Sequence, residues 1–227
     1  MEIVQSLKDF QMKGNGCWIT IGKWDGIHLG HQRILKELVA NARRNGGQSV
    51  VISFDRHPAA LFRPTSVPYQ LQTVIERSTV LGELGVDVHL VIPFTTQFAS
   101  LSPTQFVEDI LINGLHASEI MVGYNFRFGR GQQGTIELLK EICFSFDVAV
   151  KVFSPVIIDG EVVSSTKIRH YLERGEVERV KKFLGRPPVI FGQIMRGTKI
   201  TKKGECTFPL VVDRAKQVPA SGEYEVK

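Results

Sequence analysis

Short apolar runs alternate with amphipathic stretches along most of the chain. Residues 18–21 and 50–54 are short runs of the kind that form buried strands, whereas residues 32–44 place their apolar side chains on one face of a helix. The same reasoning predicts strands at 86–94, 119–122 and 148–153, and helices at 73–84 and from 102 onward. Strands that alternate with helices predict an α/β fold with an open parallel sheet and crossover helices.

The pattern changes after residue 184. Gly185, Arg186, Pro187 and Pro188 form a turn-rich cluster, and the residues beyond it resemble short strands broken by Gly and Pro. This predicts a main domain at residues 1–184 and a small β segment at residues 185–227. A segment of that length holds little core of its own, so we expect it to pack on the main domain or on another chain.

Composition narrows the class of protein. With 43% hydrophobic and 22% charged residues, the 227-residue chain is typical of a globular protein. No apolar run reaches the roughly 18 residues that a membrane span needs. The amino-terminal residues show no secretory signal, and three well-separated cysteines suit reduced thiols. We therefore expect a cytoplasmic protein that does not associate with a membrane.

The net charge of +5 is concentrated at the carboxyl end of the chain. Residues 185–227 contain eight basic and four acidic residues, which leaves residues 1–184 nearly neutral. A basic tail of this size is more often a solvated surface than a nucleic-acid-binding face, so we expect no nucleic-acid partner.

A glycine-rich loop with two histidines follows the first predicted strand. Gly22, Gly26 and Gly30 allow a ligand to approach the backbone closely, and His28 and His31 lie at the start of the next helix, where free N–H groups favour an anion. Ligands of open α/β sheets bind at the carboxyl ends of the strands. We therefore expect imidazole contacts to nucleotide phosphates here, with a metal pair or ordinary surface histidines as the weaker alternatives.

A second candidate for phosphate binding lies near residue 165. Ser164, Ser165 and Thr166 precede a predicted helix that carries Arg169 on the same face as Ser165 and Thr166. Hydroxyl groups at this position cap helices, and together with a guanidinium group they also donate hydrogen bonds to a phosphate. Helix capping alone is the alternative role of these hydroxyl groups. The two histidines of the glycine-rich loop favour phosphate binding instead.

Five motifs in order carry a resemblance to a known family. They are Gly-x-x-Asp-Gly-x-His-x-Gly-His at 22–31, Phe-Asp-Arg-His-Pro at 54–58, Phe-Ala-x-Leu-Ser-Pro-x-x-Phe-Val at 98–107, Gly-Tyr-Asn-Phe-Arg-Phe-Gly at 123–129 and Ser-Ser-Thr-x-Ile-Arg at 164–169. Over residues 15–184 the chain resembles the FMN adenylyltransferase module of prokaryotic FAD synthetases. The resemblance implies a Rossmann-like nucleotidylyltransferase domain that catalyses ATP + FMN → FAD + diphosphate by direct in-line attack, with Mg²⁺.

The resemblance also implies roles for individual residues. The residues expected to bind ATP are Gly22, Asp25, Gly26, His28, Gly30, His31, Arg127, Ser164, Ser165, Thr166 and Arg169. Those expected to bind FMN are Phe54, His57, Pro58, Phe62, Asn125 and Phe128. Those expected to act in catalysis are His28, His31, Asn125, Ser164 and Arg169. No protein metal ligand is expected. Aromatic and apolar walls suit a flavin ring, although core packing is the alternative role for any single phenylalanine.

Two positions inside the motifs depart from the family pattern. Lys23 and Trp24 replace the usual Asn-Phe, which adds positive charge beside the phosphates. Arg56 replaces the usual Pro before His57, which loosens a stiff turn on the expected flavin side.

Beyond residue 184 the chain resembles the start of the riboflavin kinase barrel that usually follows in this family. The kinase motif Gly-x-Pro-Thr-Ala-Asn is replaced by Thr-Phe-Pro-Leu-Val-Val at 207–212, so Leu210 and Val212 occupy the positions of the Thr and Asn that serve the metal and nucleotide. The sequence ends at Lys227, before the position of the family's catalytic Glu. We therefore expect a truncated kinase segment and no riboflavin kinase activity.

Two other functions stay open from the sequence. One is a different nucleotidylyltransferase that uses the same phosphate contacts on another acceptor, and the other is a regulator that binds flavin or nucleotide without turnover. The segments at 54–62 and 125–128 favour a flavin acceptor, and steady-state turnover separates an enzyme from a regulator. The sequence leaves the oligomeric state open.

Overall fold

The computed structural model describes residues 1–195, 199–200 and 206–225. Its main element is a six-stranded sheet in which all neighbouring strands are parallel. The strands are β1 (Glu2–Val4), β2 (Cys17–Ile21), β3 (Gln48–Phe54), β4 (Val88–Ile92), β5 (Ala117–Gly123) and β6 (Ala149–Phe153), in the order β1-β4-β3-β2-β5-β6. The predicted open parallel α/β sheet is confirmed.

Alternate side chains of the central strands enter two separate cores, one on each face of the sheet. Ile19 and Ile52 belong to one core, whereas their neighbours Trp18 and Val51 belong to the other. Strand residues point alternately to opposite faces, so strands that are buried on both faces are apolar throughout. This is why the sequence shows these strands as continuous apolar runs.

Helices cover both faces of the sheet. On one face α1 (Leu29–Arg44) and α3 (Val74–Glu83) bury apolar residues, and on the other α5 (Pro103–Gln105) continues as a π-helix (Phe106–Gly114) beside α6 (Ile136–Phe144). Shorter helices are α2 (Ala59–Phe62) and α4 (Thr96–Ala99). A third core joins α7 (Ser165–Glu173) to α8 (Val177–Leu184).

The remaining strands are short and antiparallel. β7 (Ile157–Ile158) pairs with β8 (Glu161–Val162), β9 (Gly192–Ile194) with β12 (Leu210–Val212), and β10 (Lys199–Ile200) with β11 (Cys206–Thr207). The C-terminal residues contact the segment before α3, where the Gln70 N–H donates to the Ala215 carbonyl and the Gln217 N–H donates to the Gln70 carbonyl, both at 2.7 Å. Residues 196–198, 201–205 and 226–227 of the expected β segment lie outside the described residues.

The structure adds elements that the sequence patterns did not predict. β1 is three residues long and pairs only at the sheet edge with β4, and α6 and α8 were not predicted either. α1 begins at Leu29, three residues before the predicted start, because the His28 side chain caps it. No helix within the described ranges combines the length and apolar character needed to cross a bilayer.

Candidate active site

The candidate site lies where the order of the parallel strands reverses. From β2 the chain proceeds to β3 and β4 on one side, whereas β5 and β6 lie on the other side of β2. The residues after β2 begin the histidine loop (residues 22–31), and Asn125 follows the carboxyl end of β5. Ligands of open α/β sheets bind at this switch point, so the topology brings both candidate segments to one edge.

The backbone of the histidine loop adopts sparsely populated conformations. Gly26 has a φ of 90°, which glycine tolerates, but Trp24 and Ile27 also have positive φ values of 51° and 39°. Such residues cost about 1–3 kcal/mol each and persist only where their surroundings hold them. Here the Trp24 indole N–H donates to the Ile52 carbonyl at 3.0 Å, and the Gln32 amide donates to the Ile27 carbonyl at 2.9 Å.

His28 and His31 form a stacked pair at the start of α1. Their ring centroids are 3.7 Å apart with an interplanar angle of 16°, and Trp24 packs edge-on against His31 at 4.9 Å. Nδ1 of His28 accepts the His31 backbone N–H at 3.3 Å. Because Nδ1 is the acceptor, the neutral His28 ring carries its proton on Nε2, which leaves a hydrogen-bond donor for a phosphate oxygen.

Both imidazoles are neutral at pH 7. Burial, reinforced by the Arg186 guanidinium, lowers the pKa of His28 to about 4. Burial lowers the pKa of His31 well below its usual range, and the adjacent His28 imidazole, Arg77 and Lys23 lower it further. The cationic surroundings that disfavour protonation of these rings favour an anion bound beside them.

Asp25 joins the histidine loop to α7 and to the segment before α3. Its buried carboxylate forms an ion pair with Arg169 and accepts the Gln72 backbone N–H at 3.0 Å. Its carbonyl accepts the Ser165 hydroxyl at 2.8 Å. The Arg169 guanidinium also donates to the Tyr69 carbonyl at 2.7 Å, so its position is fixed at two points.

The hydroxyl residues before α7 have separate local roles. The Ser164 side chain caps the helix by accepting the Lys167 N–H at 3.3 Å, whereas Thr166 is exposed. Since Ser165 bonds to the Asp25 carbonyl, the start of α7 lies directly beside the histidine loop. The structure therefore brings together the two segments that the sequence singled out separately.

A row of phenylalanines extends from the candidate flavin side into the sheet core. Neighbouring ring centroids are 5.0–6.4 Å apart. The aromatic row consists, in spatial order, of Phe62, Phe94, Phe54, Phe98, Phe106, Phe128 and Phe126. Phe62 is exposed at one end, whereas Phe128 is buried against Gly134 and contributes to the core.

One cleft joins the aromatic row to the histidine loop. It is lined by Lys23, Asp25, Phe54, Arg56, His57, Pro58, Gln70 and Arg77. Burial, followed by the charges of Lys23 and Arg169, lowers the pKa of His57 to about 4. Expected flavin-side residues and expected phosphate-side residues therefore share one cavity.

The two remaining predicted site residues, Asn125 and Arg127, are exposed. The Oδ1 atom of Asn125 lies 3.7 Å from the position that a Cβ atom at Gly123 would occupy. Arg127 lies near Glu137, on the side of α6. The contacts of the described residues do not connect Arg127 to the histidine loop, so its role stays a prediction.

Three contributors were missed from the sequence. Arg77 lines the cleft from α3, Arg186 donates to the Gly26 carbonyl at 2.8 Å and to the Ile27 carbonyl at 3.0 Å, and Phe94 belongs to the aromatic row. Phe94 is the last residue of the strand predicted at 86–94, which is a usable signal, but both arginines belong to segments without a recognisable ligand motif. Only the folded chain brings them to the loop.

Known proteins with similar sequences cover the segments that form this site. A family model described as FAD synthetase matches residues 10–167. Bifunctional riboflavin kinase/FMN adenylyltransferases from Pseudomonas fluorescens and from Buchnera aphidicola subsp. Schizaphis graminum are 33% and 32% identical to this chain. Both alignments cover all of this chain, and 72% and 73% of the respective relatives.

Solved structures support the same fold. A protein from Streptococcus pneumoniae described as a macrolide-efflux protein is 28% identical, with a TM-score of 0.84 over 97% of this chain and 71% of its own. Pantothenate synthetase from Thermus thermophilus is 20% identical, with a TM-score of 0.51 over 81% of this chain and 71% of its own. The second similarity concerns the fold alone.

Proposed function

Because the chain belongs to the FAD synthetase family, we propose that it is an FMN adenylyltransferase, which transfers AMP from ATP to FMN and releases diphosphate. The observation that carries this proposal is the shared cleft, where residues of the histidine loop meet Phe54 and Pro58, an aromatic and an apolar wall suited to a flavin. The domain division at residue 184, the cytoplasmic location and the absence of a nucleic-acid partner stay predictions from the sequence.

The proposed reaction needs no covalent enzyme intermediate. An oxygen of the FMN phosphate attacks the α-phosphorus of ATP, a new P–O–P bridge forms, and the bond to the β-phosphate breaks as diphosphate leaves. The attacking oxygen is already ionised at neutral pH, so no base has to remove a proton. Catalysis then consists of alignment and of stabilising the negative charge on the transferred group.

The histidine loop supplies the charge stabilisation in this proposal. The Nε2–H of neutral His28, the neighbouring His31 ring and the free N–H groups at the start of α1 would donate to the ATP phosphates. Arg169, fixed by Asp25, would stabilise the same phosphates from the α7 side. Asn125, at the end of β5, would contact the reacting phosphate.

We propose that Mg²⁺ enters the site with the triphosphate of ATP. Mg²⁺ is usually held by substrate phosphates and only one or two protein carboxylates. Asp25 is already committed to Arg169 and Gln72, and the described part of the chain contains no cluster of three or more potential metal ligands. We therefore assign no step to a protein-held metal. Loss of FAD formation with a chelator, and recovery with excess Mg²⁺, would support this assignment.

The first experiment is FAD formation from ATP, FMN and Mg²⁺, followed by chromatography. We expect His28→Ala and His31→Ala to lower kcat/KM by about 100-fold or more, because each removes a donor to developing charge. His116→Asn is the matched control, since His116 is exposed at the amino end of β5, at the opposite edge of the sheet. Absence of FAD from the unaltered chain, with ATP still bound, would overturn the proposal.

A further inference from the structure

Arg77 is a buried cation that has no ionic partner among the residues that the structure describes. Arg77 is only 5% exposed, and its Nη1 donates to the Phe54 carbonyl at 3.3 Å. Its buried Nε has no hydrogen-bond partner within the described ranges. Among the described residues, no carboxylate lies within ion-pair distance of its guanidinium group, since Asp25 is paired with Arg169 instead. Burial lowers the pKa of Arg77, and the more distant Asp25 partly offsets that effect.

A buried guanidinium group that no described carboxylate pairs with is unusual. Arginine stays protonated in proteins, and a buried charge is normally compensated by an opposite charge or by a full set of hydrogen bonds. Arg77 lines the cleft, and two further buried atoms, His31 Nδ1 and Gln72 Oε1, also have no partner in the described part of the chain and belong to residues around the same loop. The missing partner of Arg77 is therefore expected to be an anion that enters the cleft.

The position of Arg77 indicates which anion it binds. The Arg77 guanidinium group donates to the backbone carbonyl of Phe54, whose ring belongs to the aromatic row, and its charge also acts on His31 in the histidine loop. It therefore lies between the proposed flavin side and the proposed ATP phosphates. In the proposed reaction, the phosphate of the flavin substrate must occupy this junction to reach the α-phosphorus of ATP.

We propose that Arg77 binds the phosphate of FMN and makes the enzyme discriminate between FMN and riboflavin, which lacks that phosphate. This assignment rests on the proposed function. The planar guanidinium group binds two phosphate oxygens in a fixed geometry, and the third oxygen is then free to attack. Arg77 forms no covalent bond in this step and neither gains nor loses a proton.

The test compares the affinities of FMN and riboflavin by flavin fluorescence titration. We expect Arg77→Gln to weaken FMN binding by tenfold or more and to leave riboflavin binding unchanged, so that the preference for FMN disappears. Unchanged riboflavin binding also shows that the variant is folded. Arg77→Lys keeps the charge and should retain part of the preference. Arg43→Gln, at the far end of α1, is the matched control and should retain all of it.

Two results would overturn the assignment. One is an Arg77→Gln variant that keeps the full preference for FMN, and the other is an equal loss of FMN and riboflavin binding, which indicates a structural role. FAD formation by the unaltered chain is measured in parallel. If the proposed function is wrong, the unaltered chain forms no FAD. If only the Arg77 assignment is wrong, the unaltered chain forms FAD and the Arg77→Gln variant still prefers FMN over riboflavin.

Discussion

Lys216 Nζ lies 2.6 Å from Glu76 Oε2, in an ion pair whose two side chains are almost completely buried. The ammonium group also donates to two backbone carbonyls at 2.8 and 3.0 Å, so its three donors are satisfied. Glu76 completes the capping box with Thr73 at the start of α3, and its other oxygen accepts the Phe191 N–H at 2.9 Å. The C-terminal segment is thereby attached to the helix that carries Arg77.

Removal of Lys216 is therefore expected to destabilise the fold. Lys216→Met leaves the Glu76 carboxylate buried without its cation, which should lower the free energy of unfolding by about 3–5 kcal/mol. Urea unfolding measures this loss. The control is Lys181→Met, which removes an exposed ion pair with Glu178 and should change stability by less than about 1 kcal/mol. Equal effects of the two substitutions would contradict the structural role of Lys216.

Gly30 is required because of its contact with the His28 ring. A Cβ atom at Gly30 would lie 3.1 Å from Cε1 of His28, so we expect Gly30→Ala to displace the imidazole and to lower the rate of FAD formation about tenfold or more. Gly82 in α3 is the matched control, because a Cβ there meets nothing closer than 3.9 Å. Gly82→Ala should stabilise the protein by about 0.4–1 kcal/mol without changing activity. Full activity of Gly30→Ala would show that the His28 position is not critical.

His89 makes the stability of the protein sensitive to acid. The ring is fully buried between Ser53 and Ser78, at 2.7 and 2.8 Å, and burial, reinforced by Arg77, lowers the pKa of His89 to about 3. The unfolded chain takes up a proton at this ring below about pH 6.5, whereas the folded chain does not. The stability contributed by the neutral ring is therefore fully present above pH 6.5 and decreases as the pH falls towards 3.

The expected size of this effect is about 1.4 kcal/mol for each pH unit below 6.5. Urea unfolding at pH 6.5 and 4.5 measures it. The free-energy difference between the wild type and His89→Asn should decrease by about 2–3 kcal/mol between these two conditions. Ser53→Ala removes a hydrogen-bond partner of His89 but keeps the titrating imidazole. The difference in unfolding free energy between the wild type and this variant should therefore be nearly the same at both pH values. The same free-energy difference at both pH values for His89→Asn would contradict the role of His89 in acid sensitivity.

Riboflavin kinase activity is expected to be absent from this chain. The side chains of Leu210 and Val212, on β12, offer no oxygen ligand. They stand at the positions where the family's kinase motif has Thr and Asn. With ATP and Mg²⁺, the chain should convert FMN to FAD but should not convert riboflavin to FMN. Chromatography of the two reactions side by side measures this. FMN formed from riboflavin would show that another part of the chain performs the phosphorylation.

Much of the fold followed from local patterns. The sequence showed β2, β3 and β5 as apolar runs, because these strands are buried on both faces. It showed α1 as an amphipathic stretch, because that helix is buried on one face only. β1 left no such trace, since a strand of three residues is too short to show a period and its pairing with β4 is a contact between distant segments. The start of α1 was also placed late, because its cap is a histidine rather than a residue common at that position.

The sequence alone determined the parallel α/β class and the segments that carry the candidate chemistry, namely the histidine loop, the aromatic segments and the start of α7. These depend on the order of residue types along the chain, which local periodicity and spacing reveal. Only the tertiary structure showed that Asp25 is bound to Arg169, that Arg186 donates to the loop carbonyls, and that Arg77 is buried without an ionic partner among the described residues. The reason is physical: burial, desolvation and charge compensation depend on which distant side chains share the same volume, and that is decided by packing between the elements.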